Sequence, residues 1–167
     1  MKKTVKLSNK GKLILLCIFA VVALINWLMP AQQPPHAVSL QDVPAFSGEP
    51  YVVIGENLPL FDEEDITAVS YEFYSELDDL GRCGYTMACI GKDLMPTDDR
   101  ESISQVKPTG WKQKQYDFVD GKSLYNRCHL IGFQLTGENA NACNLITGTR
   151  YLNVEGMLPF ENMVADY

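Results

Sequence analysis

Hydrophobic and polar positions divide this chain into four stretches. The run Leu13–Met29 has 17 residues, no charge and one polar side chain, Asn26. That is the short end of what spans a hydrocarbon core as a helix. Lys2, Lys3, Lys6, Lys10 and Lys12 precede it. Lysines on that side hold the N-terminus in the cytoplasm and send the rest outside. A cleaved signal peptide has a similar pattern, so a retained anchor and a removed signal both stand. The chain thus reads as a basic segment (1–12), an anchor or signal (13–29), a linker (30–45) with Pro30, Pro34, Pro35 and Pro44, and one domain (46–167). Proline makes the linker a semi-extended spacer.

Within the domain the periodicity changes repeatedly. Tyr51-Val52-Val53-Ile54, ended by Gly55, predicts a first strand. Asp62 is placed to cap a helix with Ile66, Val69, Phe73, Leu77 and Leu80 on one face and Gly81 as its stop. Cys83–Ile90 predicts a buried strand, and residues 91–110 a loop. Trp111–Val119 partly alternates, predicting a strand before the Asp120-Gly121 turn. Tyr125–Ile131 predicts another strand, with Arg127 and His129 on one side. A Gly- and Asn-rich loop follows, then a brief strand at Asn144–Thr147. Thr149 is placed to cap a helix from Arg150 that Pro159 should kink. The expected class is α+β. Because Tyr167 falls inside that predicted helix, with no capping glycine or proline after it, the domain is expected to be incomplete at its C-terminus.

Charge sharpens the picture once the chain is divided. Nine of the 14 basic residues and all 21 acidic ones lie beyond the apolar run, leaving about −12 on the domain side. Such a domain is not a general sponge for nucleic acid. A polyanion would need a local basic patch, and the candidate runs from Arg100 to Arg127 through Lys107, Lys112, Lys114 and Lys122. Beyond Cys17 there are four cysteines: Cys83, Cys89, Cys128 and Cys143. Outside the cytoplasm an even number can pair, in three connectivities. No Cys-x-x-Cys spacing suggests a structural zinc site.

The chemistry concentrates in Asn126-Arg127-Cys128-His129-Leu130-Ile131-Gly132, with Asn153 and Glu161 further on. The only other histidine, His36, lies in the linker. Any imidazole acid–base work near neutral pH therefore falls to His129. Arg127 offers a planar fork for a phosphate oxygen. Asn153 offers a carboxamide for a hydrated Mg²⁺, and Glu161 a carboxylate to orient water. Eight α-helical positions separate the last two, about 80° apart around the axis. Base, cation and metal together suggest phosphodiester hydrolysis. Taken singly, each residue is more commonly structural or surface, and the joint order and spacing carry the reading.

Asn126-Arg127-Cys128-His129 resembles the Asp-Arg-Gly-His signature of the DNA/RNA non-specific endonucleases, the ββα-metal (His-Me finger) nucleases. Asn153-x-x-Gly156-x-x-x-x-Glu161 resembles that family's metal-binding Asn and following Glu. The runs Gly81-Arg82-Cys83, Lys107-Pro108-Thr109-Gly110-Trp111 and Phe160–Tyr167 are similar to the branch of secreted DNases and membrane-anchored competence nucleases of Gram-positive bacteria. The resemblance implies a ββα-metal core on a central antiparallel sheet. It also implies His129 as general base, Asn153 as ligand to Mg²⁺ (or Mn²⁺) and Glu161 as the carboxylate behind it. Arg127 is then the signature arginine, and Arg100 an upstream arginine assisting at the phosphate. DNA, and RNA as a further substrate, would be cut to 5′-phosphate products, with Lys107, Lys112 and Lys114 meeting the polyanion. Asn126 and Cys128 depart from the signature. The first removes a charge; the second adds bulk or a disulfide anchor, with Cys83 the preferred partner. The expected setting is a single-pass membrane protein with its domain outside, or a secreted one. Rival readings are a silent extracellular nucleic-acid receptor and a disulfide-stapled interaction domain.

Overall fold

The computed structural model describes residues 39–58 and 61–167, together with Ile18. The basic segment, nearly all of the apolar run and part of the linker lie outside the described residues. Among the described residues, no helix is long and apolar enough to cross a membrane.

Two antiparallel strand pairs organise the domain. In the first, β1 (Tyr71–Tyr74) pairs with β2 (Thr86–Cys89), Tyr71 opposite Cys89 and Tyr74 opposite Thr86. Between them, Asp78 Oδ1 accepts from the backbone N–H groups of Leu80 and Arg82, and Gly81 N–H returns to Asp78 O. This Asx-type turn reverses the chain. In the second pair, β3 (Tyr125–His129) runs against β4 (Leu145–Thr149), with Tyr125 opposite Thr149 and His129 opposite Leu145. The connection contains the short helix α1 (Phe133–Thr136) and a 3₁₀ turn, Ala142–Asn144. The Tyr74 hydroxyl meets Thr136 Oγ1 at 3.2 Å, tying the first pair to α1.

The expected helix from Asp62 does not form; its segment supplies β1 instead. The presumed apolar face stays outside, with Ile66 73%, Val69 72% and Leu80 66% exposed. The aromatic and hydroxyl-rich run from Ser70 to Ser75 finds a partner strand, and pairing overrides a spacing that also fits a helix. Tyr51–Ile54 is no strand either. Glu56 and Asn57 turn into the left-handed region (φ 59° and 58°), and Tyr51, Val52 and Val53 stay exposed with no partner strand among the described residues. Trp111–Val119 contributes only the isolated bridge Gln115–Ser123. The expected single central sheet is therefore two separate pairs among the described residues.

A continuous helix follows β4 from Arg150 to Asp166. Thr149 Oγ1 accepts from Leu152 N–H at 3.0 Å, the N-cap expected from the sequence. Leu152–Met157 is a π-helical turn, in which Leu158 N–H reaches Asn153 O. It leads into α2 (Leu158–Asp166), with Pro159 in the first turn. Pro159 does not break the helix. The widened turn lies where its ring would crowd the preceding carbonyls.

The buried core sits beneath β3 and β4. It comprises Cys128, Leu135 and Leu145 with three polar residues, His129, Thr136 and Asn144. Asn144 is fully buried, and its carboxamide holds both the N–H (2.8 Å) and the O (2.9 Å) of Ile131. That satisfies the backbone where β3 ends. Cys128 is also fully buried, and a Cβ on Gly148 would stand 2.6 Å from its Sγ. The bulk added at position 128 is thus accommodated by the absence of a side chain across the pair. Cys83 and Cys128, the pair expected from the resemblance, are not joined here; all four described cysteines are free.

Candidate active site

His129 closes β3 with its ring 5% exposed. Nε2 lies 2.8 Å from Asn139 O. A carbonyl only accepts, so Nε2 carries the proton and Nδ1 keeps its lone pair. Nδ1 faces Arg100 Nη2 at 3.3 Å, which donates to it. Burial holds the imidazole pKa below its ordinary 6.5, and the Arg100 charge lowers it further. The ring is therefore a neutral base of fixed tautomer with its lone pair covered by an arginine.

Glu161 comes from α2. Its carboxylate packs on Gly132, where a Cβ would lie 2.9 Å from Cδ and Oε2. Only glycine permits this approach to the end of β3. Burial pushes the Glu161 carboxyl upward, against the pull of Arg100. Arg100 itself extends from the long loop after β2, with its guanidinium 5.9 Å from the Phe133 ring centre. Residues from three parts of the chain, Arg100, His129 and Glu161, thus meet where β3 passes into α1.

Asn153 and Glu161 share one helix, and the π turn changes their relation. With one residue accommodated in the wide turn, eight positions span seven α-helical steps. Seven steps return to within about 20° of the start. The two side chains therefore project nearly in line, rather than the 80° apart of an ideal α-helix. Asn153 is half-buried, and among the described residues its carboxamide has no hydrogen-bond partner. No group of three His, Cys, Asp or Glu among the described residues could hold a metal. What remains is a single free carboxamide, a donor set that fits a cation keeping most of its waters, as Mg²⁺ does.

Arg127 is not brought to this cluster. Its Nε–H donates to Val106 O, its Nη2 donates to Ser104 O at 3.0 Å, and the guanidinium lies 3.9 Å over the Trp111 ring. It straps the loop that carries Arg100. Lys107, Lys112 and Lys114 are exposed on the same loop, with no ion pair among the described residues. Lys122 is engaged by Asp117. Asn126, in place of the signature acid, has a buried Oδ1 without a partner. A carboxylate there would be an uncompensated buried charge.

Sequence reasoning missed Asn139, Gly132 and Asn144. Asn139 and Gly132 act through a backbone oxygen and a missing side chain, which leave no residue-type signal; Asn144 could have been suspected as a polar residue opening an apolar strand. A separate open groove of about 490 Å³ is lined by Phe118, Leu124, Tyr151 and Val154. It contains none of Arg100, His129 or Glu161, and its apolar wall is edged by Asp120, Arg150 and Glu155.

Residues 64–167 match the family described as DNA/RNA non-specific endonuclease. Two crystal structures of NucA from Streptococcus agalactiae share the fold. The one with a magnesium ion bound aligns at a TM-score of 0.53 and 20% identity, covering 66% of this chain and 54% of that one. The one with no metal bound aligns at 0.51 and 20% identity, covering 61% and 51%. This chain thus spans about half the length of those it matches. Among curated protein sequences, none matches it.

Proposed function

This chain belongs to the DNA/RNA non-specific endonuclease family, and from that premise we propose that it is a metal-dependent endonuclease with His129 as general base. The observation that carries the reading is the His129 ring, buried, fixed by Asn139 and covered at Nδ1 by Arg100. The substrate is DNA, with RNA cut by the same chemistry, since contacts to phosphate and sugar do not read base edges.

The reaction begins with Arg100. An incoming phosphate offers its guanidinium a charged acceptor in place of a neutral nitrogen, a stronger hydrogen bond. Arg100 swings to the phosphate and uncovers Nδ1. His129 then takes a proton from water as the water oxygen bonds to phosphorus. The phosphorus–O3′ bond breaks, the 5′-phosphate stays on one product, and solvent protonates the departing oxygen. Asn153 would hold a hydrated Mg²⁺ or Mn²⁺, which supplies positive charge at the phosphate and the leaving oxygen. The Glu161 carboxylate would accept hydrogen bonds from water held with that ion. Arg127 acts on the loop, holding Arg100 and the exposed Lys107, Lys112 and Lys114 toward the polyanion. The membrane setting belongs to the same proposal, supported by the five N-terminal lysines and the apolar run 13–29, with the 46–167 domain outside.

The test is digestion of plasmid and RNA by the full chain, with Mg²⁺ or EDTA, beside His129→Ala. Cleavage that needs Mg²⁺ and falls by about 10²–10⁴-fold in the variant supports the reading. DNA binding without cleavage in any metal would instead favour a silent receptor.

A further inference from the structure

Cys83 and Cys143 are 60 positions apart in sequence, and the fold brings Cys83 against the turn that carries Cys143. The Cys83 Sγ–H points at two backbone oxygens, Ala142 O and Leu145 O, each 3.3 Å away. Those carbonyls bracket Cys143 in the 3₁₀ turn Ala142–Asn144. Both cysteines are half-buried. The Cys83 thiol is pushed up first by burial and then by the Cys143 sulfur, so the two sulfurs feel each other. The other thiols are engaged elsewhere. Cys128 is sealed against Gly148, and Cys89 Sγ lies 3.2 Å from Thr67 O.

We infer that Cys83 and Cys143 form an oxidisable pair that closes to a disulfide, tying the segment before β2 to the turn that braces the end of β3. That turn is a framework for the site. Asn141 Oδ1 caps it by accepting from Cys143 N–H at 2.9 Å, and Asn144 holds Ile131. The backbone oxygen of Asn139, just before it, accepts a hydrogen bond from His129 Nε2–H. The cross-link fixes all three relative to the first strand pair. Closure uses a small-molecule disulfide such as oxidised glutathione. One thiolate attacks a glutathione sulfur and releases one glutathione thiol. The second cysteine then displaces the other. Two protein thiols lose two hydrogens in all, and one oxidised glutathione becomes two reduced ones. An oxidising compartment supplies such conditions. None of this depends on the nuclease reading.

The full chain carrying Cys17→Ser, folded in detergent, is exposed to oxidised glutathione and its remaining thiols are alkylated. Cleavage after Lys and Arg alone leaves Cys128 and Cys143 on one peptide; further cleavage after Glu138 separates them. The expected product joins the 83–92 peptide to the Cys143 peptide, with Cys89 of that peptide alkylated and Cys83 not, and a melting temperature about 10 °C above the reduced form. Cys128→Ser leaves the linkage intact, and Cys143→Ser abolishes it. A Cys83–Cys128 linkage, or Cys83 and Cys143 both alkylated after oxidation, overturns the inference. The mapping uses the unsubstituted pair, so it stands even if Cys143→Ser fails to fold.

Discussion

Gly132→Ala separates the placement of Glu161 from the stability of the fold. A Cβ at Gly132 would lie 2.9 Å from Glu161 Cδ and Oε2 and 3.2 Å from Cγ. Ordinary contact begins near 3.4 Å, so the carboxylate must retreat by about 0.5 Å. It is the tip of a flexible side chain, so the retreat costs the fold little. Gly132 has φ −57°, which alanine adopts freely, and the lost chain entropy of the unfolded state contributes about 0.4–1 kcal/mol in favour of folding. The melting temperature should therefore hold or rise slightly. Activity should not hold. On the proposed reading Glu161 orients the waters at a metal, and displacing such a carboxylate costs about 10–100-fold. Gly148→Ala is the contrast. Its Cβ would stand 2.6 Å from the fully buried Cys128 Sγ and 3.1 Å from Leu152 Cδ2. The buried sulfur has nowhere to go, so overpacking should cost about 1–3 kcal/mol. The assay is the initial rate of supercoiled-plasmid relaxation across a Mg²⁺ titration, with thermal unfolding of each variant. Gly132→Ala at the parental rate would show that the Glu161 position does not matter to the chemistry. Gly132→Ala melting as low as Gly148→Ala would refute the flexible-tip reasoning.

On the proposed reading the neutral form of His129 is the base, and its pKa lies below 6.5, so the acid limb of the pH–rate profile should fall below pH 6.5; Arg100→Ala should slow cleavage and move that limb upward, and an unmoved limb would separate Arg100 from the base. Glu161 has a folded pKa above its unfolded value, so its contribution to stability is present below pH 4.5 and lost as pH rises through the folded value. Glu161→Gln should therefore melt higher than the parent at pH 7 while losing activity, and a lower melting temperature would show that the carboxylate is stabilising. Arg127→Lys cannot keep both carbonyl contacts and the ring contact, and should cost about 1–2 kcal/mol and expose Trp111, read as a red shift in fluorescence.

How much of this was legible in the sequence differs by region for physical reasons. β3, β4 and the Thr149 cap were readable because their signals are local: alternation, a β-branched run, a hydroxyl before a helix. The meeting of His129 with Arg100 and Glu161 was not readable from pattern alone and followed from the motif. The misplaced helix from Asp62 shows the opposite failure. Apolar residues at steps of three and four do not say whether anything will cover them, and here Ile66, Val69 and Leu80 remain exposed while Tyr71–Tyr74 pairs with a strand. The relation of Asn153 to Glu161 was harder to read. An angle of 100° per residue assumes an unbroken α-helix, Pro159 warned against that, and the turn before it is π-helical. The residue that looked like a defect in the helix is associated with the turn that aligns the two side chains.

The role of Arg127 follows from what its neighbours lack. The loop between β2 and β3 contains no regular element except one isolated bridge, and near Arg100 its backbone bonds are single turns such as Leu94 N–H to Gly91 O and Val106 N–H to Ile103 O. Yet it must deliver Arg100 to Nδ1 of His129. A lysine could screen a phosphate from β3, but only a guanidinium can satisfy two loop carbonyls and lie flat on Trp111 at once. Since Arg127 and His129 are two residues apart on one strand, the strap and the base move together. The loop is thereby registered to the base through a single strand, and an acidic domain presents its few unpaired lysines on the same segment that covers the reacting nitrogen. On the proposed reading, attraction of the polyanion and uncovering of His129 are then one event: the phosphate that the loop draws in is also the group that Arg100 leaves the imidazole to meet.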